Sequence, residues 1–187
     1  MADVLVHVED DRSAVVRFHD LGDGTHAPAV VQVADAFLSG RVSYAFYEFS
    51  IPTGASRVIK VAAASDTIVT RLGLELDLAA IRLELVVGGT EGGLFSVPVP
   101  VLRANTMSDA PAPAPQVVMS TGGTHAGGVV VDLLTAVSGA NTNKAVAAAA
   151  TEDQPMGFPA GTYYIRLVNT DGATATGILR ARWQERP

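Results

Sequence analysis

The side chains able to do chemistry in this chain are few and scattered. Its four histidines are His7, His19, His26 and His125. His19 and His26 flank the segment Asp20-Leu21-Gly22-Asp23-Gly24-Thr25, so a hairpin here brings two imidazoles near the carboxylates of Asp20 and Asp23. A metal site needs ligands that converge and a supporting shell, and no histidine pair has zinc-site spacing. A calcium loop would end in a bidentate acid, and no Glu stands at the required later position. Asp-Gly between apolar runs is instead turn chemistry, reversing the chain between Val15–His19 and Ala29–Val33.

Other candidates fare no better. The run Gly122-Gly123-Thr124-His125-Ala126-Gly127-Gly128 has neither the Gly-Lys-Ser/Thr ending of a phosphate loop nor dinucleotide-fold spacing, and it predicts a flexible hairpin loop whose tip could meet a partner. Ser120 and His125 are close in sequence, but a nucleophile and base need a third group to orient them, and no Gly-x-Ser-x-Gly elbow occurs. The acid pairs Glu75/Asp77 and Glu152/Asp153 suggest glycosidase carboxylates, yet the first sits on the solvent side of a strand. With one Trp, four Tyr and six Phe, the chain lacks the several platforms a carbohydrate enzyme usually shows. The sequence therefore names no catalytic, cofactor-binding or metal-ligating residue, and it predicts a non-enzymatic role without cofactors.

The elements that would position such residues are strands. Period-two alternation predicts Val4–Val8, Ala14–His19, Ala29–Val33, Ser43–Ser50, Arg57–Ala62, Thr67–Leu72, Leu74–Leu78, Ile81–Val87, Leu94–Leu102, Gln116–Ser120, Val129–Leu134, Thr162–Asn169 and Ala175–Trp183. Leu72, Leu74, Leu76 and Leu78 share one face against Gly73, Glu75 and Asp77, a half-buried antiparallel pattern. In the last two strands Tyr163, Ile165 and Leu167 oppose Tyr164, Arg166 and Val168, and Leu179, Ala181 and Trp183 oppose Ile178, Arg180 and Arg182. Asn169 to Gly172 joins them as a polar turn, so the chain reads as a self-contained β module that closes on its final strand. Tyr44, Phe46, Tyr47 and Phe49 alternate and predict core packing on both sides.

Short strands at this spacing predict an all-β fold, an antiparallel β-sandwich or a jelly-roll-like barrel. Residues 1–40 read as an N-terminal hairpin or arm and residues 41–187 as the sandwich, with the division at Phe37–Arg41. Asp109–Pro115 (DAPAPAP) predicts an extended bridge. Helix signal is confined to one turn at 34–39 and to 143–150 (NKAVAAAA), a short helix or a loop.

Composition limits the partners. Thirteen bases against nineteen acids give a net charge of −6, without the basic patch of a nucleic-acid binder. The start lacks a secretory pattern and no long apolar run predicts a membrane span. A chain 48% hydrophobic and only 17% charged suits burial against other subunits, or a monomer with a small-residue core. All but Lys60 and Lys144 of the bases are Arg, which suits interfacial pairing but also follows from coding bias.

The run Val15–Asp35 resembles the N-terminal hairpin of tailed-phage virion proteins. Pro98–Asp109, the TGGTHAGG loop and Phe158–Arg186, with its Gly-Thr-Tyr-Tyr-x-Arg-x-x-Asn strand and Trp183-Gln184-Glu185 ending, resemble the sandwich of phage head-decoration and head-fibre proteins. The resemblance implies a homotrimeric decoration or cement protein on the virion head surface, made in the host cytoplasm and bound to the major capsid protein. Its alternatives are a neck, collar or tail-tip protein, or a carbohydrate- or receptor-binding module with an aromatic groove near Tyr163, Tyr164 and Trp183.

Overall fold

The computed structural model describes residues 3–8, 12–20, 26–31, 41–104, 114–138, 145–150 and 155–185. The expected turns at 21–25 and 34–39, residues 37–40 of the expected division, the first part of the Pro-Ala bridge (109–113) and the acid pair Glu152/Asp153 lie outside the described residues.

Alternation becomes strand nearly everywhere it occurs. β1 (Asp3–Val8), β2 (Arg12–Asp20) and β3 (His26–Val31) form their own antiparallel sheet, so the expected hairpin gains a third strand. β2 and β3 pair with Asp20 opposite His26, the reversal that Asp-Gly predicts.

Two larger sheets and one two-stranded sheet (β8 with β12) follow, built from β4 (Val42–Ile51), β5 (Ser56–Ala63), β6 (Thr67–Leu78), β7 (Ala80–Val87), β8 (Thr90–Gly92), β9 (Val97–Val99), β10 (Val101–Arg103), β11 (Val117–Thr121), β12 (Thr124–Ala126), β13 (Val129–Val137), β14 (Ala145–Ala150), β15 (Met156–Phe158), β16 (Gly161–Asn169) and β17 (Ala175–Glu185). The β17 sheet runs β10-β4-β17-β6-β14, with β15 also paired to β6; the β16 sheet runs β13-β7-β16-β5-β11-β9. Numbering β4, β5, β6, β7, β13, β14, β16 and β17 as one to eight, the sheets contain the orders 1-8-3-6 and 5-4-7-2. That is jelly-roll order, and it forms an open sandwich rather than a closed barrel.

Consecutive strands therefore usually belong to different sheets. Two connections, one of them an expected reversal, become crossovers for this reason. β6 and β7 meet at Ala79, buried and held at φ 69°, where the chain passes from one sheet to the other. The Asn169–Gly172 turn likewise carries β16 into the opposite sheet rather than against β17. Buried Asn169 fixes it: its amide donates to the carbonyls of Ile51 and Ala173, both at 2.8 Å, and its Oδ1 accepts the Asp171 N–H at 2.8 Å. The segment expected as one strand at Leu94–Leu102 is broken at Pro100, which hands the chain from β9 to β10 across the sheets.

The core follows the alternation. Leu72, Leu74, Leu76, Ile81, Leu83, Ile165, Leu167, Leu179 and Trp183 fill the space between the sheets. Each such side chain contributes about 1.5–3 kcal/mol on burial. Leu78, expected on the same face, is 46% exposed because its strand is ending. The expected helix or loop at 143–150 is corrected: Ala145–Ala150 is β14, paired antiparallel with β6. An unpaired sheet edge beside this run satisfies its backbone as strand, and that outweighs alanine's helix propensity.

Candidate functional site

Three features bear on function. The first is a clasp on the outer surface of the β16 sheet. β8 and β12 pair as a two-stranded flap, with His125 opposite Glu91. Glycines at positive φ bracket both strands: Gly88, Gly89 and Gly93 around β8, Gly122, Gly127 and Gly128 around β12. At Gly128 (φ 81°) a Cβ would also come within 2.6 Å of Val86, so only glycine lets the backbone lie this close to the sheet.

Under the flap, Tyr164 packs with Val58, Val86 and Phe95. His125 stacks on the Tyr164 ring at 3.8 Å between centroids, and its Nε2 bonds the Gly88 carbonyl at 2.7 Å. The Tyr164 hydroxyl donates to Glu91 Oε1 at 2.5 Å, and Lys60 Nζ pairs with the same oxygen at 2.6 Å. Those two bonds hold the Glu91 carboxyl below the usual carboxylate range, the lysine bond first. Burial, then the Glu91 bond, pushes the Tyr164 hydroxyl up to about 12. A tyrosine so reluctant to ionise is a donor rather than a base, so the cluster pins the flap. Beside it, Arg166 pairs with Glu84 at 2.8 Å and donates to the Gly127 carbonyl at 3.2 Å.

The second feature lies between the sheets. Glu185 accepts from Arg103 at 3.1 Å, from the Trp183 indole N–H at 3.2 Å and from Ser43 Oγ at 3.5 Å. Arg103 also donates to Ser43 Oγ at 2.9 Å. β17, β10 and β4 place these groups side by side, because Arg103 faces Ser43 and Ser43 faces Trp183 across the ladder. Nearby, a cavity of about 60 Å³ is lined by residues including Val61, Leu72, Met119, Tyr163 and Trp183.

The third feature is the distribution of exposed apolar side chains. β13 lies beside β14 on one flank of the sandwich, and β9 and β10 lie on the other, next to β11 and β4. Val129, Val130, Val131, Leu133 and Val137 of β13, with Leu78 and Val87, are exposed on the first flank. Leu94, Val97, Leu102 and Val118, with Tyr44 and Phe46, are exposed on or beside the second. The central strands β5, β16 and β17 expose none.

The sequence candidates are placed as follows. The TGGTHAGG segment is corrected: its Thr124–Ala126 is a paired strand, and His125 is buried on Tyr164 rather than presented at a tip. Ser120 and His125 have no hydrogen bond between them; His125 is engaged by Tyr164 and Gly88. Glu75 forms a two-bond pair with Arg180 at 2.6 and 3.2 Å, an ordinary surface ion pair. Tyr163, Tyr164 and Trp183 are all buried, so they line no exposed groove; the Tyr163 hydroxyl donates to the Pro159 carbonyl at 2.7 Å. Of the β4 aromatics, Phe49 is core, while Tyr44 (37% exposed) and Phe46 (43%) face outward, which corrects the expectation of packing on both sides. Among the described residues, no group of three or more His, Asp or Glu is arranged to hold a metal.

The clasp was missed because Lys60, Glu91, His125 and Tyr164 come from four strands. Its one local trace is the pair of glycine clusters around 88–93 and 122–128. The fold and these surfaces define an all-β sandwich module of jelly-roll order with a pinned flap and two apolar flanks. Comparison with protein-family models, curated proteins and solved structures finds no match to this chain.

Proposed function

We propose that this chain is a structural subunit of a tailed-phage virion, a homotrimeric decoration or cement protein that binds the major capsid protein across capsomers on the head surface. The observation that supports this reading most is the concentration of exposed apolar side chains on the two flanks, away from the central strands. Exposed apolar side chains gathered in this way mark sites that other protein surfaces cover. The action is mechanical: each contact adds binding energy across capsomer joints and opposes outward pressure from the packaged genome. Contacts of about 1,600 Å² in total are what stable association of this sort needs.

Copy number per purified particle, measured against the major capsid protein by quantitative mass spectrometry, tests the reading. Hundreds of copies are expected. A dozen copies or fewer moves the chain to the neck or tail, and absence from the particle overturns the virion role.

A second reading rests on Tyr44 and Phe46. Both face outward on β4, directly across the ladder from Arg182 and Arg180. Rings beside guanidinium groups suit a glycan or receptor surface. Glycan-array binding lost in Tyr44→Ala supports it; silence of the wild-type protein on the array rejects it.

A further inference from the structure

We infer that copies of this chain associate head to tail, the β13–β14 flank of one against the β9–β10 flank of the next, in a closed ring. The inference rests on the assembly reading above and deepens it by naming both surfaces.

Three observations carry it. First, the two flanks differ in kind. The β13 flank displays branched aliphatic chains, Val129, Val131, Leu133 and Val137, while the other adds aromatic Tyr44 and Phe46 to Leu94 and Leu102. Dissimilar, opposite surfaces fit a heterologous contact, and heterologous contacts close into rings when the rotation allows.

Second, β13 is guarded against pairing with its own copy. Its register shifts between Val130 and Asp132, and the Leu133 N–H donates to the Asp132 carboxylate at 2.8 Å. A bulge and an occupied edge donor are the devices that stop edge-to-edge extension. The flank therefore meets its partner through side chains.

Third, charge and size agree. A net charge of −6 repels a second copy everywhere except where charge is sparse. Asp132 is the only charged residue in β13, and its Oδ2 is buried rather than presented on the flank. A strand of this length spans about 30 Å and the two sheets with their side chains about 20 Å, so each flank offers on the order of 600 Å². Two such flanks bury about 1,200 Å² in one contact, the lower end for stable association.

The test uses the full chain with Leu133→Glu and Leu102→Glu, one variant per flank, with masses read by light scattering. Wild type is expected as one discrete oligomer and each variant as a monomer with an unchanged melt. An equimolar mixture of the variants then forms a heterodimer of twice the 19.3 kDa chain mass, because one intact pair of flanks survives. If only Leu133→Glu dissociates, the contact is isologous and the inference fails. It also fails if the mixture stays monomeric, if wild type grows as filaments, or if wild type is itself a monomer. If both variants assemble like wild type, the flanks are the wrong surfaces while the assembly reading stands. Val137→Ser and Leu94→Ser repeat the test should a glutamate variant fail to fold. Particle copy number judges the virion role independently.

Discussion

Two glutamates in this molecule receive similar partners at different depths. Glu91 takes a lysine and a tyrosine hydroxyl on the outer surface of the β16 sheet, with its side chain 36% exposed. Glu185 takes an arginine, an indole N–H and a serine between the sheets, with its side chain 3% exposed. The donor chemistry is nearly the same, but the cost of removing one donor is not. Water replaces a lost partner at Glu91. Nothing replaces one at Glu185, where the charge stays desolvated. The surface cluster is thus suited to holding a flap that can be released, and the interior cluster to fixing how β4, β10 and β17 meet.

Arg103→Ala gives the largest effect. It strands the Glu185 carboxylate and is expected to cost about 3–5 kcal/mol in a denaturant melt. A loss under about 1 kcal/mol would mean that water reaches Glu185 and would erase the contrast. Trp183→Phe removes the indole donor and part of the buried ring volume while leaving Arg103 on Glu185, so a smaller loss, about 1–3 kcal/mol, is expected.

At the surface cluster the readout shifts from global stability to the flap. Tyr164→Phe is expected to speed amide hydrogen exchange at Thr124–Ala126 while moving the melting temperature far less than Arg103→Ala does. Unchanged exchange would show that stacking and apolar packing alone hold the flap.

Titration separates the two partners of that bond. The Tyr164 pKa is raised to about 12, so the folded state holds this proton more tightly than the unfolded chain does. Its contribution is complete below about pH 10 and is lost as pH rises towards 12. A tyrosinate absorbance titration should show late ionisation from Tyr163, which burial also raises, and from Tyr164, and only the Tyr164 part should disappear in Tyr164→Phe. Glu91 has the opposite sign. Its folded pKa is depressed, so its contribution is present above the ordinary carboxylate value and is lost as pH falls through the depressed one. Flap exchange should therefore quicken only in strong acid, and quickening at neutral pH would contradict this assignment.

The smallest effect is expected from Lys60→Ala. An exposed ion pair contributes little, so the melt should stay within error. A double-mutant cycle on Lys60 and Glu91 should show far weaker coupling than one on Arg103 and Glu185.

Much of the fold was legible in local pattern, for a physical reason. Alternation along β6, β16 and β17 reports which side chains leave water, and a strand's two faces are set by adjacent residues. Leu74, Leu83, Ile165 and Leu179 accordingly sit in the core as their spacing requires. The connections were not legible. Asn169 lies in a segment that reads as a reversal within one sheet, yet it leads across the sandwich, as Ala79 does. A turn's composition states that the chain bends, and packing states where it goes. β14 shows the same limit, since an alanine run becomes strand only where β6 offers an edge.

The sequence by itself determined that this chain is all-β and which residues face inward on its main strands. Those properties depend on side-chain type and on spacing of a few residues. Only the tertiary structure decided that Tyr164 lies under a flap with Glu91, that Arg103 meets Glu185, and that the exposed apolar residues gather on two opposite flanks. Each joins strands distant in the chain, and strand order in a sandwich is set by how whole faces pack.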